Sequence, residues 1–292
     1  MAGALILAYF FILGAPKCGT TSLAYWLSQH SEIAFSEPKE SRFFNTDFSF
    51  PFRPSDSESY ESLFQDKPNA VVRGEATVNY LCSDVALSKI LDYAPDAQFI
   101  VCVRPHVELF LSLHKQRLKE GLESVQCPER AWRLQGARLK GRKVPKGCSE
   151  PKLLEYSRFC MMGEQISQVY EQVGQKRVRL YQLSEIGRIP DVVFKNACDF
   201  LGVDDGAPVS YSVKNVGTVP KYPVLSRLMR ALGILRQKIG LRPLGAATLI
   251  ARVNLAKSQI YTLDPAFLIE LEEYFKHDQE TLDLHLKNRG SL

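Results

Sequence analysis

No two cysteines in this chain stand as CxxC, and no cluster of histidine and cysteine has zinc-ligand spacing. A redox dithiol and a structural zinc are therefore not written into the sequence. The seven cysteines are scattered and odd in number, which fits reduced or buried thiols in a reducing compartment. Cys127 and Cys148 flank a polar, basic stretch and are the pair that would close a disulfide if the chain were exported. Long hydrophobic runs are missing as well. The apolar run inside MAGALILAYFFILGAPK has about ten residues, too few to span a bilayer, and no basic segment precedes it. It reads as a buried strand. There is no internal repeat and no low-complexity tract. Charge of one sign is in small excess only, +5 over 292 residues. That suits a small anionic ligand but carries little weight, and no nucleic-acid partner is expected. A chain of this length buries a large core without disulfide or metal staples.

What is present alternates between two periodicities. Ala4 to Leu13 is a continuous apolar run, as in a strand covered on both faces. Residues 71–75, the run Gln98 to Val103 and Arg177 to Leu183 are the other strand candidates. Helical spacing marks Thr20 to Gln29, Asp84 to Tyr93 with Asp84 as cap, Pro105 to about Glu120, Leu153 to Val173, Pro190 to Leu201, and roughly Pro265 to Leu286. This alternation predicts an α/β fold, a P-loop-like three-layer arrangement with a central parallel sheet flanked by helices. A single domain over 1–292 is expected, with an inserted basic loop at about 121–152 and a helical C-terminal extension from about 222.

The first chemical signal joins the first strand to the first helix: Gly14-Ala15-Pro16-Lys17-Cys18-Gly19-Thr20-Thr21-Ser22. Glycines let the backbone turn tightly, and the N–H groups at a helix N-terminus converge on a spot that favours an anion. Thr20, Thr21 and Ser22 add hydroxyls and Lys17 adds a positive charge. Against the nucleotide triphosphate loop GxxxxGK[ST], Gly14 and Gly19 match, but Thr20 stands where that loop has lysine. No convincing aspartate for a magnesium ion ends a neighbouring strand. The loop is built for phosphate without a metal–triphosphate complex.

PKCGTTSL after an apolar strand resembles the 5′-phosphosulfate loop of sulfotransferases that use 3′-phosphoadenosine-5′-phosphosulfate (PAPS), closest to the carbohydrate (heparan-sulfate-type) and bacterial branch. The likeness covers about residues 5–222. It implies that Pro16, Lys17, Cys18, Gly19, Thr20, Thr21 and Ser22 hold the donor. It also implies that Arg104 at a strand end and Ser112 on the following helix take the 3′-phosphate. Pro105 comes directly after Arg104 and His106 follows, where the family often has an acidic residue and then proline. GEATVNY (74–80) resembles the family's catalytic segment, with Glu75 as the base that takes the acceptor's proton; Ala76 and Val78 depart from the family's usual lysine and proline. Ser36-Glu37-Pro38-Lys39-Glu40-Ser41-Arg42-Phe43-Phe44 resembles its substrate-side segment, which implies acceptor contacts for Lys39, Glu40 and Arg42. Tyr181 is implied near the nucleotide, and Gly217 and Lys221 in a loop closing over it.

The reaction implied is an in-line displacement at sulfur, in which Lys17 and the loop amides stabilise charge on the bridging oxygen and no metal is required. The acceptor is a hydroxyl or amine, on the resemblance a carbohydrate, with a small-molecule alcohol or phenol next. Arg130, Arg133, Arg138, Lys140, Arg142, Lys143 and Lys146 would suit an acidic glycan, although a solvated basic loop reads the same way. Two other classes stay open: a P-loop nucleoside kinase, and a non-catalytic nucleotide- or glycan-binding module. A cytoplasmic location is expected, or the Golgi lumen if the chain is a trimmed catalytic domain. Basic, apolar-striped helices after residue 222 suggest packing on the sheet, with membrane contact as the lesser alternative.

Overall fold

The computed structural model describes residues 8–64, 67, 69–204, 209–211, 218–220, 255–257 and 263–290. The chain folds as two compact units. One holds Met1–His106, Phe159–Lys214 and Phe275–Leu292; the other holds Val107–Arg158 and Asn215–Tyr274.

The first unit is built on five strands: β1 (Ala8–Gly14), β2 (Ile33–Phe35), β3 (Val72–Glu75), β4 (Gln98–Val103) and β5 (Val178–Gln182). They form one sheet in the order β2-β3-β1-β4-β5, every neighbouring pair parallel. An all-parallel sheet is covered on both faces, which is why β1 and β4 read as unbroken apolar runs. Phe10, Phe11 and Ile12 of β1 and Phe99 to Cys102 of β4 are fully buried. The first helix, α1 (Thr20–Ser28), buries Leu23, Trp26 and Leu27. The short α2 (Ser57–Glu61) is opened by a capping box between Asp56 and Ser59. Helix α3 (Ala86–Tyr93) is preceded not by an Asp84 cap, as the sequence suggests, but by Ser83, whose Oγ accepts from the Val85 and Ala86 amides.

The next helices are α4 (His106–Lys119), α5 (Pro128–Arg133), α6 (Gln135–Leu139), α7 (Tyr156–Cys160), α8 (Met162–Val173), α9 (Leu183–Arg188) and α10 (Pro190–Leu201). Helix α10 ends at Gly202, whose left-handed φ of 71° supplies the C-terminal turn. The expected helix from Leu153 to Val173 is broken: a 3-10 turn at Pro151–Leu154 gives way at Glu155, and α7 and α8 are separated at Met161. A last helix, α11, runs from Pro265 to Asn288. Strands β6 (Thr218–Pro220) and β7 (Leu255–Lys257) pair antiparallel. The rest of the stretch after residue 222 read as basic helices lies outside the described residues.

The second unit shows what became of the basic stretch at 121–152. It is not a shapeless loop. Arg138 is completely buried and its Nη1 and Nη2 reach both oxygens of Glu123, at 2.6 and 2.7 Å. Glu123 also accepts from Tyr156 Oη at 2.8 Å and from the Ser124 and Val125 amides. Short helices wrapped on this buried pair replace the amphipathic periodicity that sequence reading looks for. Phe110, Trp132 and Tyr156 pack beside it.

Candidate functional site

Three adjacent strands, β3, β1 and β4, end at the same edge of the sheet, and the residues singled out from sequence follow those ends. The chain leaves β3 to form β4 on the far side of β1, so the strand order reverses there. Crevices beside such reversals, outside the carboxyl ends of parallel strands, are where α/β sheets bind ligands.

The loop after β1 is held by its neighbours. The Ala15 amide donates to Cys102 O at the end of β4, 2.7 Å, and the Leu81 amide to Leu13 O, 2.9 Å. Gly14 and Gly19 both have positive φ, 149° and 89°. A Cβ at Gly14 would lie 2.6 Å from Val78 O, and one at Gly19 would press on Ile186 and Leu183 at 3.0 and 3.1 Å. Only glycine suits these positions. Lys17 also has a positive φ, 64°, rare for a lysine. Lys17, Gly19 and Thr21 are half-buried, whereas Pro16, Cys18, Thr20 and Ser22 are buried. Cys18 is a packed thiol: its Sγ donates to Pro16 O at 3.4 Å, and burial pushes its pKa well up. The first turn of α1 carries no acidic residue, so nothing there opposes an anion at its amides. Arg104 follows β4, half-buried, and its Nη1 donates to Lys17 O at 3.2 Å. The Arg104 guanidinium therefore meets the backbone of the loop that leads into the α1 N-terminus, the loop that carries Lys17.

Glu75 ends β3, and its carboxylate is 1% exposed. Its Oε2 accepts from Tyr60 Oη and Tyr80 Oη, each at 3.1 Å, and its Oε1 accepts from Thr77 Oγ1. These hydroxyls in turn accept from the 41–44 segment: the Arg42 amide donates to Thr77 Oγ1 at 3.1 Å and the Phe44 amide to Tyr80 Oη at 3.3 Å. Ser41 Oγ lies 3.2 Å from Tyr80 Oη. Burial pushes the Glu75 carboxyl above the usual carboxylate range, while the hydrogen bonds from Thr77, Ser41, Tyr60 and Tyr80 pull the other way. Glu75 is thus the hub that ties the 41–44 segment to the sheet. Sequence reading missed this cage. Thr77 and Tyr80 were in view in GEATVNY, but nothing local points to Tyr60.

The segment it holds carries the other carboxylate. Glu40 has 30% of its side chain exposed and lies between Lys39 and Arg42, 3.5 and 3.6 Å away. Lys39 O accepts from the Ala76 amide at 3.2 Å, which brings this segment against the residue after Glu75. Arg42 has a positive φ of 58°, and its guanidinium lies over the Phe50 ring at 4.6 Å. Phe44 packs in the core, and Phe43 stacks on Tyr60.

Of the remaining expected residues, Tyr181 lies in β5, fully buried, and its Oη donates to Asn196 Oδ1 at 2.9 Å. Its hydroxyl is spent inside the fold. Ser112 is half-buried on α4, within the second unit. Gly217 and Lys221 lie outside the described residues. All seven cysteines are free thiols, Cys127 and Cys148 included. Among the described residues, no group of three or more His, Cys, Asp or Glu is placed to hold a metal ion, and no helix is long and apolar enough to cross a membrane.

A parallel sheet with a glycine-bounded loop, a lysine and an arginine at its carboxyl edge defines an α/β protein of the P-loop-like class. No family model matches the chain. A segment of 110 residues is 32% identical to the membrane-associated sulfotransferase kil1 of Dictyostelium discoideum, covering 37% of this chain and 22% of that protein. The chain therefore matches less than a quarter of that relative's length. The crystal structure of a sulfotransferase from Alicyclobacillus acidocaldarius shares the fold with a TM-score of 0.62 at 25% identity, over 82% of this chain and 98% of that one. The chain is similar to sulfotransferases in sequence over that segment and in fold over most of its length.

Proposed function

We propose that this protein transfers a sulfuryl group from PAPS to a hydroxyl or amine of an acceptor. The observation that carries the reading is the meeting of the 14–19 loop, Lys17 and Arg104 at the carboxyl edge of β1 and β4. These residues fit the donor: the loop amides and Lys17 suit its 5′-phosphosulfate, and the Arg104 guanidinium suits its 3′-phosphate. The donor, when bound, supplies an activated sulfuryl group. Lys17 stabilises negative charge that develops at the leaving phosphate, and the loop amides share that task.

The sequence assigns the proton to Glu75, but its three hydroxyl partners and 1% exposure leave it no open oxygen. The accessible carboxylate is Glu40. We assign the general base to Glu40, with Lys39 and Arg42 orienting it and the acceptor, and give Glu75 the task of holding their segment in place. The acceptor is a carbohydrate on the resemblance in sequence. The Arg42–Phe50 stack, with Phe48 against Phe50 and Phe52 39% exposed, favours a phenol or apolar alcohol as the second reading.

The test is calorimetric titration with adenosine 3′,5′-bisphosphate without metal, beside ATP with magnesium. Metal-free binding of the bisphosphate is expected. Arg104→Ala should weaken it about 10- to 100-fold, since it removes charge-assisted hydrogen bonds worth about 1.5–3 kcal/mol. Preference for Mg-ATP would sink the reading in favour of a kinase. In turnover, Lys17→Ala should cost kcat more than donor affinity, because its charge acts mainly in the transition state.

A further inference from the structure

One lysine at the carboxyl edge of the sheet is built inside out. Lysines ordinarily bury their methylene stem and keep the ammonium in water. Lys39 does the reverse: 24% of its side chain is exposed, yet Nζ itself is buried and makes no hydrogen bond. Glu40 Oε1 is 3.5 Å from it, an ion-pair distance. The backbone fixes where this ammonium stands. Lys39 O accepts from Ser36 Oγ at 3.2 Å and from the Ala76 amide at 3.2 Å, and the Ser36 amide donates to Gly74 O at 2.9 Å. The segment that leaves β2 is thereby pinned across the end of β3. Ala76 at that end is fully buried and brings a methyl group and no charge. Beyond β3 lies β1, whose end opens the loop carrying Lys17, and then β4. The Lys39 charge is felt that far. Burial, partly offset by Lys39, pushes the Cys102 thiol of β4 up to about 12. Cys102 is therefore neutral and gives the ammonium no counter-charge, while its carbonyl holds the Ala15 amide of the loop at 2.7 Å. The ammonium thus lies between the ends of β3 and β4, where the Lys17 loop begins.

A buried ammonium without hydrogen bonds is unfavourable unless an anion completes it. We propose that Lys39 holds the sulfuryl oxygens of the donor, the group that is transferred, and is a catalytic residue beside Lys17. This rests on the sulfuryl-transfer reading. The chemistry matches on two counts. The sulfuryl group spreads one negative charge over three oxygens, and an ammonium offers three donors. Glu40, the proposed base, is an anion that must bring the acceptor up to an anionic group. The ammonium 3.5 Å from Glu40 stands between these like charges and screens them from each other. The acceptor oxygen bonds to sulfur as the bond from sulfur to the leaving phosphate oxygen breaks with its electron pair. The acceptor's proton goes to Glu40, and Lys39 keeps all its protons. Lys17 meets charge that grows on the leaving oxygen, whereas Lys39 meets charge already present on the bound sulfuryl group. Lys39 must therefore show in donor affinity, where Lys17 shows mainly in turnover.

The sulfuryl group is isolated by comparing PAPS with adenosine 3′,5′-bisphosphate, which lacks it. The full chain is titrated calorimetrically with each, without acceptor, as wild type and as Lys39→Met, which keeps the stem and removes the charge. Lys39→Met should bind PAPS about 10- to 100-fold more weakly, the loss of a charge-assisted hydrogen bond, and should bind the bisphosphate as wild type does. Lys39→Arg, which keeps the charge, should recover part of the PAPS affinity. The melting temperature of Lys39→Met should stay level or rise, since the substitution removes a buried cation that has no hydrogen bond. Unchanged PAPS affinity in Lys39→Met overturns the proposal. So does an equal loss for both nucleotides, because the lysine then acts on the nucleotide or its loop. A raised KM for 4-nitrophenol with PAPS affinity intact assigns Lys39 to the acceptor instead. A melting temperature several degrees lower makes the lysine structural and overturns the proposal as well. If wild type binds neither nucleotide, the donor reading itself fails and takes this role with it. If wild type binds both and Lys39→Met matches it, the role of Lys39 alone falls.

Discussion

Replacing each of the two site carboxylates by its amide, Glu40→Gln and Glu75→Gln, should separate chemistry from architecture. Glu75 accepts from Tyr60, Tyr80 and Thr77 with no open oxygen. A glutamine can keep its oxygen toward the two tyrosines, but its NH2 must then face Thr77 Oγ1, which already accepts from the Arg42 amide. One strong bond is lost and two are weakened from charged to neutral, against the relief of no longer burying a charge. Hydrogen bonds to charged groups are worth about 1.5–3 kcal/mol each and neutral ones about half that, so the net loss should be about 1–3 kcal/mol. At about 2–4 °C per kcal/mol for a larger domain, the melting temperature drops several degrees. The loss should shrink as pH rises. Burial raises the Glu75 carboxyl, so what its proton-bound form contributes is present below the ordinary carboxylate range and lost as pH climbs through the raised value. Turnover in Glu75→Gln should stay within about tenfold of wild type below the melting transition, because the residue acts through the segment it holds. Glu40→Gln should do the reverse. Its ion pairs to Lys39 and Arg42 are half-exposed and worth at most about 1 kcal/mol, so stability hardly moves, while loss of the general base should cut kcat by about 10²–10⁴. The assay is sulfuryl transfer from labelled PAPS to 4-nitrophenol and to a desulfated glycan, beside thermal denaturation. A Glu40→Gln protein with near-normal turnover, and a Glu75→Gln protein that is inert at unchanged melting temperature, would return the base to Glu75.

Two further outcomes concern the scaffold. Glu123→Ala leaves Arg138 buried without its counter-charge. It should cost about 3–5 kcal/mol, read as a fall in melting temperature. Arg138, the Val125 amide and Tyr156 together outweigh burial and hold the Glu123 carboxyl low, so this cost should narrow as acid protonates the wild type; a fall of only a degree or two at neutral pH would refute the account. Gly74→Ala would place a Cβ 2.3 Å from Phe10 Cζ and 2.9 Å from Phe35 Cδ2. Overpacking of this kind costs about 1–3 kcal/mol, and Phe10→Leu in the same chain should recover part of it; a double variant no better than Gly74→Ala would show that the clash is not with that ring.

The local chemistry was legible in the sequence. The apolar runs at β1 and β4 mark strands covered on both faces, because only a doubly buried strand needs no polar side. The glycines at 14 and 19 mark a turn that other residues cannot make, and PKCGTTSL places a lysine and a helix N-terminus beside it. Arg104 at the end of β4 follows from the same reading. Tertiary structure decided the rest, because it depends on partners distant in the chain. Tyr60, fifteen residues upstream, joins Tyr80 and Thr77 in making the expected base, Glu75, a buried hydrogen-bonded hub, and that contact is why we propose Glu40 for the base instead. The basic stretch at 121–152 became a folded element because Arg138 finds Glu123. His106 follows Pro105 in the sequence with no local sign of a partner, and only α11 brings Asp278 and Gln279 to its two ring nitrogens. Sequence order names the groups able to carry charge or protons. Which of them face water, and which are consumed holding the others in place, is set by contacts that no local pattern records.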